Sequence, residues 1–304
     1  MFTKKSVLII PTKDRFFKLK KTINQFSKLK ISFKKIIVID SSSEKFLKKN
    51  LIFYKKKKIH YVLSKPSISK QRNLGLKLAL KTKGINYIFF LDDDIIFEKS
   101  AFKEMDKVIK KNKNKDIVGF GFNPKNNLKK NFFDLIKEST LSKKLGLYDQ
   151  QPGIVLQSGW QTKIQNLKKN LKTNWASSAA LVLKRQNIKN KKFDESFGNY
   201  SYLEDIDFSL KFKPLFFFIV SKAYFFHLQD IQRTSFRFGF IEVVNRYKIV
   251  KKNKLNTFSY FKMIILKSIL NLLNIFFGKF SFLNRFAGNI YGIIYVIFFG
   301  LFVK

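Results

Sequence analysis

The sequence predicts an α/β protein: a mostly parallel sheet flanked by helices, followed by a hydrophobic helical tail. Three observations carry that expectation. Short apolar runs suited to buried strands alternate with segments of helical spacing. Carboxylates stand at the C-terminal ends of two of those runs, where open parallel sheets bind their ligands. From residue 251 onward the chain is far more apolar than before.

The elements follow in order. "SVLII" at 6–10 reads as a short buried strand ended by Pro11. Leu19, Ile23 and Phe26 recur at helical spacing within 18–29. "KIIVID" is a second strand, closing on Asp40 and a Ser41-Ser42-Ser43 turn, and "KIHYVL" a third; His60 within it is expected to be structural. "SISKQRNLGLKLAL" places Ile68, Leu74 and Leu78 on a helix that closes near Gly84. "YIFFL" is the fourth strand, and Asp92, Asp93 and Asp94 follow it at once. In the tail, 258–277 is apolar except for a narrow polar stripe of Lys267, Asn271 and Asn274. Residues 286–303 carry no formal charge, and 18 residues is the lower limit for a membrane span. The small-xxx-small spacing of Gly288 and Gly292 suits close helix packing.

A chain of 304 residues fits one large domain, or one domain with an appendage. With no cysteine, disulfides, zinc–thiolate sites and thiol nucleophiles are excluded, and a reducing compartment fits. The apolar run near Met1 is too short for the core of a signal peptide. The net charge of +41 comes from lysines spread along the chain. Heavy use of Lys, Phe, Ile and Asn together reads as compositional bias. The functional reading is attraction to polyanions: an anionic membrane surface, nucleic acid or nucleotide diphosphates. No zinc-finger spacing or aromatic RNA-binding signature occurs, so no nucleic-acid partner is expected.

The turn after the first strand is "PTKDR", without glycine, and no G-x-x-x-x-G-K follows any strand. Phosphates would therefore be held by something other than a glycine cradle. A divalent cation on Asp92–Asp94 would serve, since Mn²⁺ and Mg²⁺ take oxygen ligands and bridge carboxylates to phosphates. The plain alternative is an acidic turn that solvates a strand end.

"SVLIIPTKDR", "IIVIDSSS", "SKQRNLGLKLA", "YIFFLDDDIIF" and "FDESFGNYSYLEDIDFSLKF", in that order across about 6–227, resemble glycosyltransferase family 2, with its GT-A fold. The resemblance implies an inverting, metal-dependent transfer from a nucleotide-diphosphate sugar. Pro11 and Thr12 match the turn that contacts the nucleotide, and Asp40 the acid that recognises the nucleoside. Arg72 matches a basic position near the phosphates, where a guanidinium fork suits the oxygens. Asp92 and Asp93 match donor-binding positions, and Asp92 and Asp94 the D-x-D metal ligands, with His227 as a further ligand. "LEDIDFSL" matches the acidic motif beneath the acceptor. There Asp205 aligns with the general base, with Glu204 beside it and Asp207 as the fallback on the acceptor side. Without the upstream motifs, these carboxylates read as ordinary first-turn acids that favour the helix dipole. Trp175 in "NWASSAALVLKR" either stacks on a sugar face or belongs to the core. Ala176, Ser177 and Ser178 stand where relatives usually carry a glycine. Arg233 and Arg237 are candidates to close over the diphosphate.

These readings place a catalytic domain at 1–250, with a nucleotide-sugar half at 1–122 and an acceptor half at 123–250, and a membrane-associating tail at 251–304. The expected partners are the nucleotide-sugar donor, a glycan or lipid-linked acceptor and an anionic membrane surface. The location is the cytoplasmic face of a membrane, peripherally or by one C-terminal span. The tail could instead pack on the catalytic domain or form a homodimer interface. A nucleotidyltransferase is the enzyme alternative, supported only by Lys13 and Arg15. A non-enzymatic basic membrane or nucleic-acid binder would leave the ordered carboxylates unexplained.

Overall fold

The computed structural model describes residues 1–112, 114–125, 138–188, 190–228 and 233–300. The chain divides into two compact units. One comprises Met1–Asn126 with Ile164–Gln229, and the other Asn127–Lys163 with Asp230–Lys304.

The first unit is built on a nine-stranded sheet. Its strands are β1 (Ser6–Thr12), β2 (Lys35–Asp40), β3 (His60–Leu63), β4 (Tyr87–Leu91), β5 (Ile95–Phe97), β6 (Ile117–Pro124), β7 (Leu171–Thr173), β8 (Ala180–Lys184) and β9 (Phe216–His227). The order is β3-β2-β1-β4-β8-β6-β9-β5, with β7 also on β9. The four strands expected from the sequence are β1 to β4, all parallel. β8 then runs antiparallel to both β4 and β6, and β5 and β7 run antiparallel to β9. The sheet is therefore mixed, with its longest parallel block in the first half. β1 continues through Pro11 to Thr12, past the end of its pairing with β4 at Ile9, where only β2 still flanks it.

Helices cover both faces, so alternate residues of a strand are buried on opposite sides. Leu8 and Ile10 join one core with Leu19, Ile23 and Phe26 of α1 (Phe16–Lys28) and Phe102 of α4 (Ala101–Lys111). Val7 and Ile9 join the other with Leu76 and Ala79 of α3 (Ile68–Leu80). A helix not expected from the sequence, α2 (Glu44–Lys57), follows β2; it buries only Asn50, Phe53 and Tyr54. The second unit contains α5 (Thr140–Lys144), and the first contains α6 (Glu204–Leu210), the short helix expected at the "LEDID" motif.

Three long helices dominate the second unit: α7 (Phe236–Lys252), α8 (Thr257–Phe276) and α9 (Phe282–Phe299). The last two are the expected tail; positions 301–303 of its uncharged stretch lie outside the described residues. Val243, Tyr247 and Val250 of α7 pack with Tyr260 and Ile264 of α8 and Val296 of α9. The glycine spacing has a structural use. A Cβ on Gly288 would collide with the Phe236 carbonyl, and one on Gly292 would lie 2.9 Å from the Val243 side chain.

Candidate active site

Asp92, Asp93 and Asp94 form the turn between β4 and β5, and its backbone is held from several sides. Asp92 N–H donates to the Ala179 carbonyl at 2.9 Å. Thr22 Oγ1 donates to the Asp93 carbonyl at 2.9 Å, and Gln25 Nε2 to that of Ile95 at 2.7 Å. Antiparallel pairing of β5 with β9 sets His227 opposite Ile95, and Leu228 N–H donates to the Asp94 carbonyl at 2.9 Å. His227 Nε2 thereby lies 2.8 Å from Asp94 Oδ1 and 3.9 Å from Asp92 Oδ2. Residues 133 positions apart (94 to 227) meet because two strands pair.

The three carboxylates have distinct surroundings. Asp93 is buried; Thr12 Oγ1 donates to its Oδ2 at 2.6 Å and Arg15 Nη1 to its Oδ1 at 3.2 Å. Burial outweighs these partners and pushes the Asp93 pKa up to about 6. Arg15 Nη1 also reaches Asp94 Oδ2 at 3.2 Å. Burial would raise the Asp94 carboxyl, but the His227 hydrogen bond and charge, with Arg15 and Lys18, hold it below the usual range. His227 is pulled down by burial and, more strongly, up by Asp94 and Asp92, so its net shift is upward. Asp92 is the open member, with a quarter of its side chain exposed (26%).

Arg72, on α3, is almost wholly buried. Its Nη2 donates to Asp92 Oδ1 at 2.8 Å and its Nη1 to Glu204 Oε1. One guanidinium thus ties the strand-end turn to the first residue of α6. Burial, reinforced by the neighbouring Asp205 charge and opposed by Arg72, raises the Glu204 carboxyl well above its ordinary range. Asp205 follows at the start of the same helix, partly exposed, with Oδ1 accepting from Ile206 N–H at 2.9 Å. Asp207, two residues further along α6, is buried, and its Oδ2 lies 3.2 Å from Lys211 Nζ.

Asp40 ends β2 and is buried. Asn50 Nδ2 and Tyr54 OH donate to its Oδ2 at 2.7 and 2.8 Å, and Ser42 N–H to its Oδ1 at 2.8 Å. Each carboxylate oxygen can accept more than one donor, so these contacts leave acceptor capacity. Pro11 and Thr12 stand beside it, in register with Ile39 and Asp40. Trp175 is only 8% exposed, which leaves little ring face open, and its Nε1 has no hydrogen-bond partner among the described residues. Arg233 and Arg237 belong to the second unit, where Arg233 stacks over the Phe238 ring at 5.5 Å.

Several contributors escaped the sequence reading. Arg15, named from the sequence only in support of a nucleotidyltransferase, is one in the role it has here: it grips Asp93 and Asp94. Asn50 and Tyr54 are others, hidden in the lysine-rich α2. Gln71 beside Arg72 donates to the Thr12 and Ile39 carbonyls at 3.0 and 2.8 Å, joining α3 to the ends of β1 and β2.

The donor set Asp92, Asp94 and His227 offers two carboxylate oxygens and an imidazole nitrogen, all within 4.8 Å of one another. Hard oxygen donors with one imidazole fit Mn²⁺, and Mg²⁺ less closely. The exposed edge of Asp92 leaves room for oxygens from a ligand.

A curled, mixed sheet flanked by helices, with an acidic turn after its fourth strand and an acidic helix alongside, is the GT-A architecture of nucleotide-sugar glycosyltransferases. The chain belongs to glycosyl transferase family 2, whose sequence pattern matches residues 7–202. No curated protein sequence matches it. Among solved structures, GalNAc-T7 with UDP, GalNAc and Mn²⁺ superposes with a TM-score of 0.53 at 13% identity, covering 75% of this chain and 44% of that one. S. aureus TarS gives a TM-score of 0.48 at 16% identity, covering 82% of this chain and 42% of that one. The chain thus spans less than half the length of these two proteins, and at 13% identity the likeness to GalNAc-T7 is one of fold.

Proposed function

We propose that this glycosyltransferase is metal-dependent and inverting. It would move a sugar from a nucleoside diphosphate, of uridine or thymidine, to a hydroxyl of a glycan or lipid-linked acceptor. The observation that carries the reading is the convergence of Asp92, Asp94 and His227 on one point, with Glu204 tied to it through Arg72 and Asp205 next to Glu204 on α6. Asp92, Asp94 and His227 would hold Mn²⁺ or Mg²⁺. When bound, such an ion neutralises charge on the departing diphosphate.

The protein's own groups do the rest. Asp40, Pro11 and Thr12 face the nucleoside, and Asp93, held by Thr12 and Arg15, fixes the turn. Asp205 accepts the proton of the acceptor hydroxyl as its oxygen bonds to the anomeric carbon. The bond from that carbon to the phosphate oxygen breaks in the same step, its electron pair leaving with the diphosphate. One displacement with one base inverts the anomeric centre. Arg72 positions Asp92 and Glu204 and keeps the two halves of the site in register. Asp207 and Trp175, both buried, would shape the acceptor side from behind. On this reading the chemistry lies within 1–250.

Membrane association is the second part of the proposal. Among the described residues two helices, α8 and α9, are long and apolar enough to cross a membrane, yet only 39% and 28% of their most apolar 18-residue stretches is buried. Residues 251–304 would hold the enzyme at the cytoplasmic face, beside a lipid-linked acceptor. A panel of nucleotide-diphosphate sugars, assayed for hydrolysis with Mn²⁺ and with chelator, tests the reaction class. Turnover of at least one donor that disappears with chelator is expected; turnover of none, or metal-free turnover, would contradict it.

A further inference from the structure

The helices α8 and α9 are amphipathic in the inverted sense. The buried stripe of α8 carries Ser268, Asn271 and Asn274, and that of α9 carries Arg285 and Asn289. These polar groups bond to one another and to α7: Asn271 Nδ2 donates to Asn289 Oδ1 at 2.6 Å, Asn289 Nδ2 to the Gly239 carbonyl at 3.1 Å, and Arg285 Nη2 to Glu242 Oε2 at 2.7 Å. The outward stripe is apolar at three- and four-residue steps, with Ile265, Ile269, Leu273 and Phe276 on α8 and Ile290, Ile294 and Ile297 on α9 exposed. A helix designed for water shows the reverse. Polar groups inward and bulky apolar groups outward is the arrangement that lipid selects.

The direction of immersion follows from α7. Gly239 meets Arg285, Gly288 meets Phe236, Gly292 meets Val243 and Gly300 meets Tyr247, so α9 runs beside α7 from Arg285 to its C-terminal end. α7 carries Glu242, Asn245 and Arg246 along that stretch, and Arg246 Nη1 donates to the Gly159 carbonyl at 2.5 Å while its guanidinium stacks 3.9 Å over Trp160. If α9 crossed a bilayer, α7 and the loop bonded to it would enter hydrocarbon too, which polar loop backbone does not tolerate when it faces lipid. Charge agrees with a surface. Residues 233–300 hold eleven Lys and Arg (233, 237, 246, 248, 251, 252, 254, 262, 267, 279, 285) against the single acid Glu242.

We infer that α8 and α9 lie in the plane of an anionic membrane, outer faces sunk to about 5–10 Å, and do not span it. This deepens the membrane reading above and rests on it. Lipid is the occupant chosen over a second copy of the chain because the basic surroundings of the apolar stripe would repel a like partner and attract acidic headgroups.

The test uses the full chain, which has no cysteine of its own. Flotation with vesicles of phosphatidylcholine containing phosphatidylglycerol addresses the membrane reading itself. Co-flotation is expected, reduced at least tenfold in Ile269→Glu/Ile294→Glu, whose exposed positions spare the core. Failure to float, with sedimentation as a dimer, would overturn both readings. Topology addresses the inference alone. In sealed vesicles of the expressing cells with the cytoplasmic face outward, Lys279→Cys in the α8–α9 turn should react with an impermeant maleimide. A C-terminal epitope tag should likewise be open to added protease. Floating protein in which either site is reached only after the vesicles are opened would contradict the in-plane arrangement and establish a span.

Discussion

Arg72 Nη2 donates to Asp92 Oδ1 at 2.8 Å, and the same buried guanidinium holds Glu204. The pairing joins the strand-end turn that would carry the metal to the helix that would carry the base. Breaking a buried ion pair by removing one partner costs about 3–5 kcal/mol. Arg72→Met should therefore lower unfolding stability by roughly that amount. Arg72→Lys restores the charge but not the fork, since an ammonium cannot serve both carboxylates with the same planar geometry. It is expected to recover part of the stability while kcat stays depressed. Denaturant unfolding alongside donor turnover checks this; a lysine variant with normal kcat would remove Arg72 from the positioning role.

Asp205→Asn should keep donor binding and cut turnover by about 10²–10⁴, the usual range for loss of a general base. Glu204→Gln tests the neighbour, whose carboxyl is raised by burial and already engaged by Arg72. Steady-state kinetics on both variants decides. If Glu204→Gln abolishes turnover while Asp205→Asn spares it, the base has been assigned to the wrong carboxylate.

The second unit should show an acid-sensitive ion pair. Burial disfavours ionised Glu242, but Arg285, Lys267 and Arg246 outweigh it and hold the pKa down to about 2, against 4.5 as the ordinary value. The unfolded chain therefore binds the proton first as pH falls. The stabilisation is fully present above about pH 4.5 and drains away towards pH 2. Glu242→Gln should be less stable than the parent at neutral pH, and the gap should narrow across that window. Urea unfolding at a series of pH values measures it; a gap independent of pH would mean that charge pairing is not what Glu242 contributes.

Much of the first half was legible because its strands are short apolar runs. β1, β2 and β4 sit under helices on both faces, so "SVLII", "KIIVID" and "YIFFL" needed no alternation to be read. α2 was not, because lysines fill its surface and one of its three buried positions is the polar Asn50. β6 and β9 were missed for a related reason: Gly119 and Gly121 interrupt the first, and the second is one long aromatic run without obvious ends.

The site shows the same divide. Asp92 and Asp94 could be picked out as acids at a strand end, whereas Asp205 and His227 were named only through the family resemblance. What each touches could not. Arg72 meets Glu204 across 132 residues, and Asp40 is held by Asn50 and Tyr54 through a helix that carried no signal. The polar stripe of α8 was visible as a stripe, but that Asn271 and Asn274 face inward depends on α7 and α9.

The most direct measurement is calorimetric titration of uridine diphosphate into the purified full chain, with Mn²⁺ and without it, for the parent and for Asp92→Asn/Asp94→Asn. These substitutions keep side-chain size and remove the charge that would hold the ion. The parent should bind the nucleotide tightly only when Mn²⁺ is present, and the double variant should lose that metal-dependent binding while unfolding like the parent. Undiminished Mn²⁺-dependent binding in the double variant would contradict the assignment of Asp92, Asp94 and His227 as the metal site.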